Sequence, residues 1–192
     1  MTIAGSQAGG TGTIECRGNF VAGLSIAQTP GNNLPLNAVS GFLSVGTTAG
    51  NGIRVEGGSN VRVRDSYSIG NFGSGISVAT SVIGAVRNNS LTNIDLGSPT
   101  SDAGGGPGGN TFQASIGSNA NGGAGICLQM DNNAGTLAAR GNMFSGGKNC
   151  ATTAASLTFN AANCTANRDL GLTARGGGNS NNDIDVTLCT HP

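Results

Sequence analysis

Residues 51–93 read NGIRVEGGSNVRVRDSYSIGNFGSGISVATSVIGAVRNNSLTN, and the stretch nearly repeats itself. Gly52-Ile53-x-Val55 returns as Gly75-Ile76-x-Val78, 23 residues further on. Val63-Arg64-Asp65 returns as Val86-Arg87-Asn88 at the same interval, and Ile69-Gly70-Asn71 returns as Leu91-Thr92-Asn93 after 22. A period of about 22–24 residues is too long for a hairpin and suits one lap of a solenoid. Within each lap, short apolar–polar alternations are bounded by Gly, Ser and Asn, the pattern of brief strands joined by turns. Stacked parallel laps place equivalent strands about 4.8 Å apart. The repeat therefore predicts Ile53 over Ile76, Val55 over Val78, Val63 over Val86 and Arg64 over Arg87. It also predicts Asn71 over Asn93 as an amide ladder along one corner.

The same grammar extends outward. Arg17-Gly18-Asn19-x, Gly109-Asn110-Thr111-Phe112 and Arg140-Gly141-Asn142-Met143-Phe144 share a polar turn carrying Asn, and in each a Phe follows at or near the next inward position. They are expected to form one kind of corner. Gly125-Ile126-Cys127-Leu128 restarts the Gly-Ile-x-Val strand. Leu157-x-Phe159, Leu170-x-Leu172 and Ile184-x-Val186-x-Leu188 supply later strands. Gly- and Ser-rich segments at 97–109, 117–124 and 176–182 read as loops bulging from corners. The expectation is one all-β domain over residues 1–192, a parallel β-helix of about 6–8 coils.

Composition supports order over disorder. Of 192 residues 35 are Gly and 23 are Asn, only 9% are charged, and the formal net charge is zero. Disordered chains usually combine high net charge with few β-branched residues. Here Gly and Asn fit the positive-φ corners that each lap needs. Lysine occurs once, at Lys148, and no basic cluster exists, which argues against nucleic acid as a partner. No apolar run reaches 18 residues, so no membrane span is expected. The opening MTIAGSQAGG has neither a basic nor an apolar signal-peptide region, and Met1 is expected to begin a piece of a longer chain.

The five cysteines are Cys16, Cys127, Cys150, Cys164 and Cys189. Cys150 and Cys164 flank a Thr/Ala-rich segment and are the first choice for a disulfide; Cys127 with Cys150, one lap apart, is the second. The plainer reading is small buried thiols. Nothing has zinc-ligand spacing.

The Gly-Ile-x-Val strands, the Val86-Arg87-Asn88-Asn89-x-Leu91 corner and Gly109-Asn110-Thr111-Phe112 resemble right-handed parallel β-helix proteins of the pectate-lyase-like superfamily. Asp95-Leu96-Gly97 with Gly108–Phe112 resembles bacterial surface β-helix domains of unassigned function. The resemblance implies a right-handed coil. Its members include polysaccharide lyases, hydrolases, tailspikes, adhesins and modules without catalysis, so it does not choose an activity. Lyases of this kind imply an Arg or Lys base and carboxylates that hold calcium.

Nine acidic residues leave little for such a cluster. Asp183-x-Asp185 is a weak candidate calcium pair, against the plainer reading of two solvated side chains. Arg54, Glu56, Arg62, Arg64, Asp65, Tyr67 and Arg87 form the best outward polar patch. There, paired Arg64 and Arg87 would grip an acidic sugar and Tyr67 would serve as a stacking platform. The alternative is a solvated face of weak ion pairs. His191 is penultimate and expected to fray. No catalytic residue is assigned, and no cofactor beyond calcium is implied.

The leading functional expectation is a non-catalytic extracellular or cell-surface module with a structural or polysaccharide-contacting role. The alternatives are a lyase or hydrolase acting on acidic glycans, and a filament subunit that forms homo-oligomers through open β-helix ends.

Overall fold

Glycine, serine and asparagine interrupt every apolar run within a few residues, so the strands are short. A computed structural model describes residues 2–4, 6–7, 10–11, 14–17, 22–26, 37–57, 60–83, 86–88, 91, 93–98, 108–112, 121–129, 135–144, 159–160, 164, 169–172 and 184–186. The chain begins with β1 (Thr2–Ala4), β2 (Ser6–Gln7), β3 (Gly10–Thr11), β4 (Ile14–Arg17) and β5 (Ala22–Ile26). Then come β6 (Asn37–Ser40), β7 (Phe42–Val45) and β8 (Asn51–Glu56), followed by β9 (Val61–Arg64), β10 (Tyr67–Ile69) and β11 (Ile76–Ala79). Next are β12 (Ser81–Ile83), β13 (Val86–Asn88), β14 (Ile94–Asp95), β15 (Thr111–Phe112) and β16 (Ile126–Gln129). The chain continues through β17 (Leu137–Ala138), β18 (Met143–Phe144), β19 (Phe159–Asn160), β20 (Leu170–Leu172) and β21 (Ile184–Asp185). No helix occurs among the described residues.

The strands form three parallel sheets. The first has the order β1-β6-β9-β14-β17-β21, the second β18-β15-β10-β7-β4, and the third β19-β20-β16-β11-β8-β5. From β6 to β11 the chain visits the first, second and third sheets in turn, twice over. β14, β15 and β16 make the next round. Two antiparallel pairs stand apart, β2 with β3 and β12 with β13.

The strongest part of the sequence repeat sets the register of the third sheet. Ile53 pairs with Ile76 and Val55 with Val78, as the Gly-Ile-x-Val spacing predicts. Ile126 and Leu128 continue both rows, and Leu170 extends the first. The period itself does not hold: Ile53 and Ile76 are 23 residues apart, but Ile76 and Ile126 are 50 apart. The excess lies in excursions between strands, while the strands keep their rows. Ile53, Ile76, Ile126 and Leu170 are fully buried, and each contributes roughly 1.5–3 kcal/mol through removal from water. Phe112 and Phe144 stack on the inner face of the second sheet, their ring centroids 6.1 Å apart.

Two predicted stacks are corrected. Val63 does not lie over Val86, nor Arg64 over Arg87. Residues 81–83 and 86–88 leave the three sheets as the antiparallel pair β12–β13, with Arg87 in register with Val82 and Val86 with Ile83. The strand that lies next to β9 is β14, with Ile94 beside Val61 and Asp95 beside Arg62.

The corners are built from amides. Between the first and second sheets, the Phe42 N–H donates to Ser66 Oγ (3.2 Å) and the Ser66 N–H to Asn110 Oδ1 (3.1 Å). The Asn110 N–H in turn donates to Asn142 Oδ1 (3.1 Å). Between the second and third sheets, the Thr47 N–H donates to Asn71 Oδ1 (3.3 Å) and the Asn71 N–H to Asn121 Oδ1 (2.9 Å). The partner of Asn71 is thus Asn121; Asn93 is exposed. The shared corner of Gly109-Asn110 and Gly141-Asn142 is as the sequence motif predicts. The Asn19 example lies outside the described residues, as do most of loop 97–109, part of 117–124 and all of 176–182.

The residue before each ladder amide takes a left-handed backbone. Gly41, Gly109 and Gly141 have φ of 64°, 62° and 68°, and Asp65 fills the equivalent place with φ 48°. A side chain in this region is strained, so Asp65→Gly is expected to stabilise the protein by about 0.5–1 kcal/mol. A urea melt checks this. A lower midpoint for Asp65→Gly would mean that the carboxylate makes a compensating contact.

The repeated Gly of Gly-Ile-x-Val has a packing cause. A Cβ on Gly52 would run into Ser68 Oγ, and the same atom on Gly23 would meet Ser44 Oγ. Ser44 and Ser68 are buried on the inner face of the second sheet, where the chain turns tightly into the third. Small inward hydroxyls and a side-chain-free neighbour together permit that turn.

Candidate functional site: the outer faces of the sheets

The first sheet carries charge on its outer face because alternation sends Arg62, Arg64, Asp95, Arg140 and Asp185 outward while their neighbours fill the core. These charges pair with one another, although Arg62 Nε is buried without a hydrogen-bond partner. Arg64 Nη2 lies 2.6 Å from Asp95 Oδ2 and Arg62 Nε lies 3.5 Å from the same oxygen. Arg64 Nη1 also donates to the carbonyls of Val63 (2.9 Å) and Asp95 (3.0 Å), which draws this arginine partly inward. Asp95 Oδ1 accepts the Gly97 N–H at 2.9 Å, closing the turn after β14. One level along, Arg140 Nε donates to Asp185 Oδ2 at 2.6 Å.

Asp95 thus anchors two guanidiniums and a turn amide, so Asp95→Ala is expected to cost about 1–2 kcal/mol. Raising the salt concentration should recover little of it, because the turn amide stays unpaired. A loss that disappears in high salt would instead reduce the contact to an ordinary surface ion pair.

The seven residues of the expected polar patch do not form one surface. Arg62 and Arg64 lie on the first sheet, and Tyr67 on the second. Asp65 sits at the corner between them. Arg54 and Glu56 lie on the third sheet, 4.0 Å from each other. Arg87 is on β13. The double-arginine grip is therefore not made, and the acid that Arg64 meets is the protein's own Asp95. Of the candidate calcium pair, Asp185 is engaged by Arg140, and Asp183 lies outside the described residues. Among the described residues no group of three or more His, Cys, Asp or Glu side chains converges as a metal site. His191 is also outside them.

The outer face of the third sheet is covered around β11 and β16. Ser77 and Cys127 point away from the core by alternation, yet both are buried. Cys127 forms a disulfide with Cys164, the Cα atoms 5.5 Å apart. This excludes the expected Cys150–Cys164 pairing; Cys150 itself lies outside the described residues. The sequence signal for Cys127 was its position in a Gly-Ile-x-Leu strand, but nothing local marks residue 164 as returning to that strand.

The second sheet has a different outer face. Leu43, Tyr67, Thr111 and Met143 stand in one register row across β7, β10, β15 and β18. Val45 and Ile69 start a second row. All are partly exposed, and Tyr67 reaches 50%. None is charged. Phe72, at the corner after β10, is 67% exposed. Its turn is held from both sides: the Phe72 N–H donates to the Thr47 carbonyl (2.9 Å), and the Gly122 N–H donates to the Asn71 carbonyl (2.7 Å). Sequence reading found Tyr67 but not its row, because the row joins residues 43, 67, 111 and 143 at unequal spacings.

No described helix is long and apolar enough to cross a membrane. Comparison with protein-family models, curated proteins and solved structures finds no match to this chain.

Proposed function

We propose that the chain is a right-handed parallel β-helix module, extracellular or at a cell surface, with a structural role that includes contact with polysaccharide. The rotation of the chain through three parallel sheets supports the coil. Parallel crossovers are right-handed in about 98% of cases, which supports the hand. The Cys127–Cys164 bond supports an oxidising compartment, since disulfides are rare in reducing ones. The observation that carries the non-catalytic reading is the mutual engagement of the outward charges: Asp95 with Arg62 and Arg64, and Asp185 with Arg140. Side chains spent on each other hold the laps together and leave little for acid–base work.

Two measurements test the proposal. Affinity electrophoresis through gels containing neutral or acidic polysaccharides should show retardation in at least one. Incubation with uronate polymers, with and without calcium, should give no rise in unsaturated-product absorbance. A steady rise would replace the structural reading with a lyase. Migration unaffected by every polymer would remove the glycan contact.

A further inference from the structure

The described corners between the first and second sheets each contain one left-handed residue: Gly41, Asp65, Gly109 and Gly141. Three are glycine. Asp65 alone carries a side chain there, and it does so at a cost in backbone strain. Strained residues of this kind gather at binding sites, where another role retains them. Two residues after each corner comes an outward row of the second sheet: Leu43, Tyr67, Thr111 and Met143. Tyr67 is the only ring in that row, so the strained carboxylate and the ring share one level. Asp65 is exposed, and its Oδ1 fills the space where a Cβ on Gly109 would stand. Gly109 lies two residues before Thr111, the register partner of Tyr67. Tyr67 is 50% exposed.

The charges around the ring choose the occupant. Glu56, Asp95 and Asp185 each face an arginine. Among the described residues the Asp65 carboxylate has neither an ion pair nor a hydrogen bond. Its neighbour Arg64 is turned to Asp95 and the Val63 carbonyl. At the far edge, β4 places Glu15 in the row of Leu43 and Tyr67, and Arg17 in the row of Val45 and Ile69. Both lie two strands from β10, about 10 Å away, and they are opposite in sign. Asp65 is therefore the uncompensated charge nearest the ring. A carboxylate accepts from an ammonium, and the face of a tyrosine ring attracts cations. We infer that the Asp65–Tyr67 corner binds a protonated amino sugar of a polymer such as deacetylated chitin. The ammonium meets Asp65, and the pyranose lies on Tyr67. The inference rests on the glycan-contacting reading above and names its site and the charge of its ligand.

Tyr67 is the sole tyrosine and the chain has no tryptophan, so tyrosine emission reports on this site alone. Intact protein is titrated with chitosan oligomers in mildly acidic buffer, where their amines are protonated. N-acetylated chitin oligomers serve as the control, with the same rings and no charge. Chitosan oligomers should change the emission saturably, and chitin oligomers should bind roughly tenfold more weakly, the loss of one charge-assisted hydrogen bond. Asp65→Asn should weaken chitosan binding by a similar factor. Asp65→Gly should do the same while raising the urea midpoint, so binding falls as stability rises. Tyr67→Phe should keep calorimetric binding, and Tyr67→Ala should weaken it. Circular dichroism confirms that each variant is folded.

Chitosan binding unchanged in both Asp65→Asn and Asp65→Gly overturns the site while leaving glycan contact standing. Equal binding of chitin and chitosan oligomers does the same, as does retardation by other polysaccharides with no response to chitosan. Polylysine that binds where chitosan does not would assign the corner to a basic protein segment instead. Failure of every polysaccharide removes the glycan contact as well.

Discussion

Asn110→Leu is expected to destabilise the protein by about 3–4 kcal/mol, read from a urea melt followed by circular dichroism. The side chain is fully buried and makes four bonds. Nδ2 shares its two hydrogens among the carbonyls of Val63 (3.0 Å) and Leu96 (3.1 Å) and Asn142 Oδ1 (2.9 Å). Oδ1 accepts the Ser66 N–H. Leucine has nearly the same size, so the loss is in polar pairing more than in volume. The consequences differ from group to group. The Val63 carbonyl keeps Arg64, and the Leu96 carbonyl keeps Asn142 Nδ2 (3.0 Å). The Ser66 N–H loses its ladder acceptor, and a buried amide without a partner costs about 1–3 kcal/mol alone. Asn142→Leu attacks the same ladder one level along, so the two losses should not add. A double-mutant cycle is expected to show a coupling of about 0.5–3 kcal/mol. Strict additivity would mean that the two amides act independently, contrary to the shared Oδ1.

Reduction of Cys127–Cys164 carries the other large effect. The bond closes a loop with a sequence separation of 37 residues, worth about 4 kcal/mol in chain entropy. Cys127 lies on β16, in register with Gly171 of β20, so the loop spans one full round of the chain and ties its return to the strand on which it lands. Dithiothreitol, or Cys127→Ala with Cys164→Ala, should lower the urea midpoint by the same amount. Either single substitution should do nearly as much as both. A reduced protein with an unchanged midpoint would show that packing alone holds this round.

What the sequence revealed depended on whether a row is marked by residues of one type. Gly52-Ile53-x-Val55 and its two returns mark the third sheet, because a Gly is forced beside Ser68 and aliphatics are forced into the core. The Val63–Val86 expectation failed because Val-Arg-polar also suits an antiparallel pair. The strand that occupies the row, Ile94–Asp95, replaces Arg by its counter-charge. A search for like on like passes over such a partner, although Arg62 and Arg64 need one. The amide ladders were expected in kind, but Asn71 with Asn93 was the wrong pair. The excursion between β15 and β16 pushed the true partner to Asn121. The outer row of the second sheet was invisible for the same reason, since its members are brought into line only once the excursions are looped out.

The disulfide also governs how the protein would respond to being pulled. A chain drawn out by its ends can lengthen only by the residues outside the Cys127–Cys164 loop. The oxidised form should therefore reach a final extension shorter than the reduced form by roughly 130 Å, at about 3.6 Å per hidden residue. Under load the oxidised molecule would yield but stop short of full extension, with one round kept in reserve.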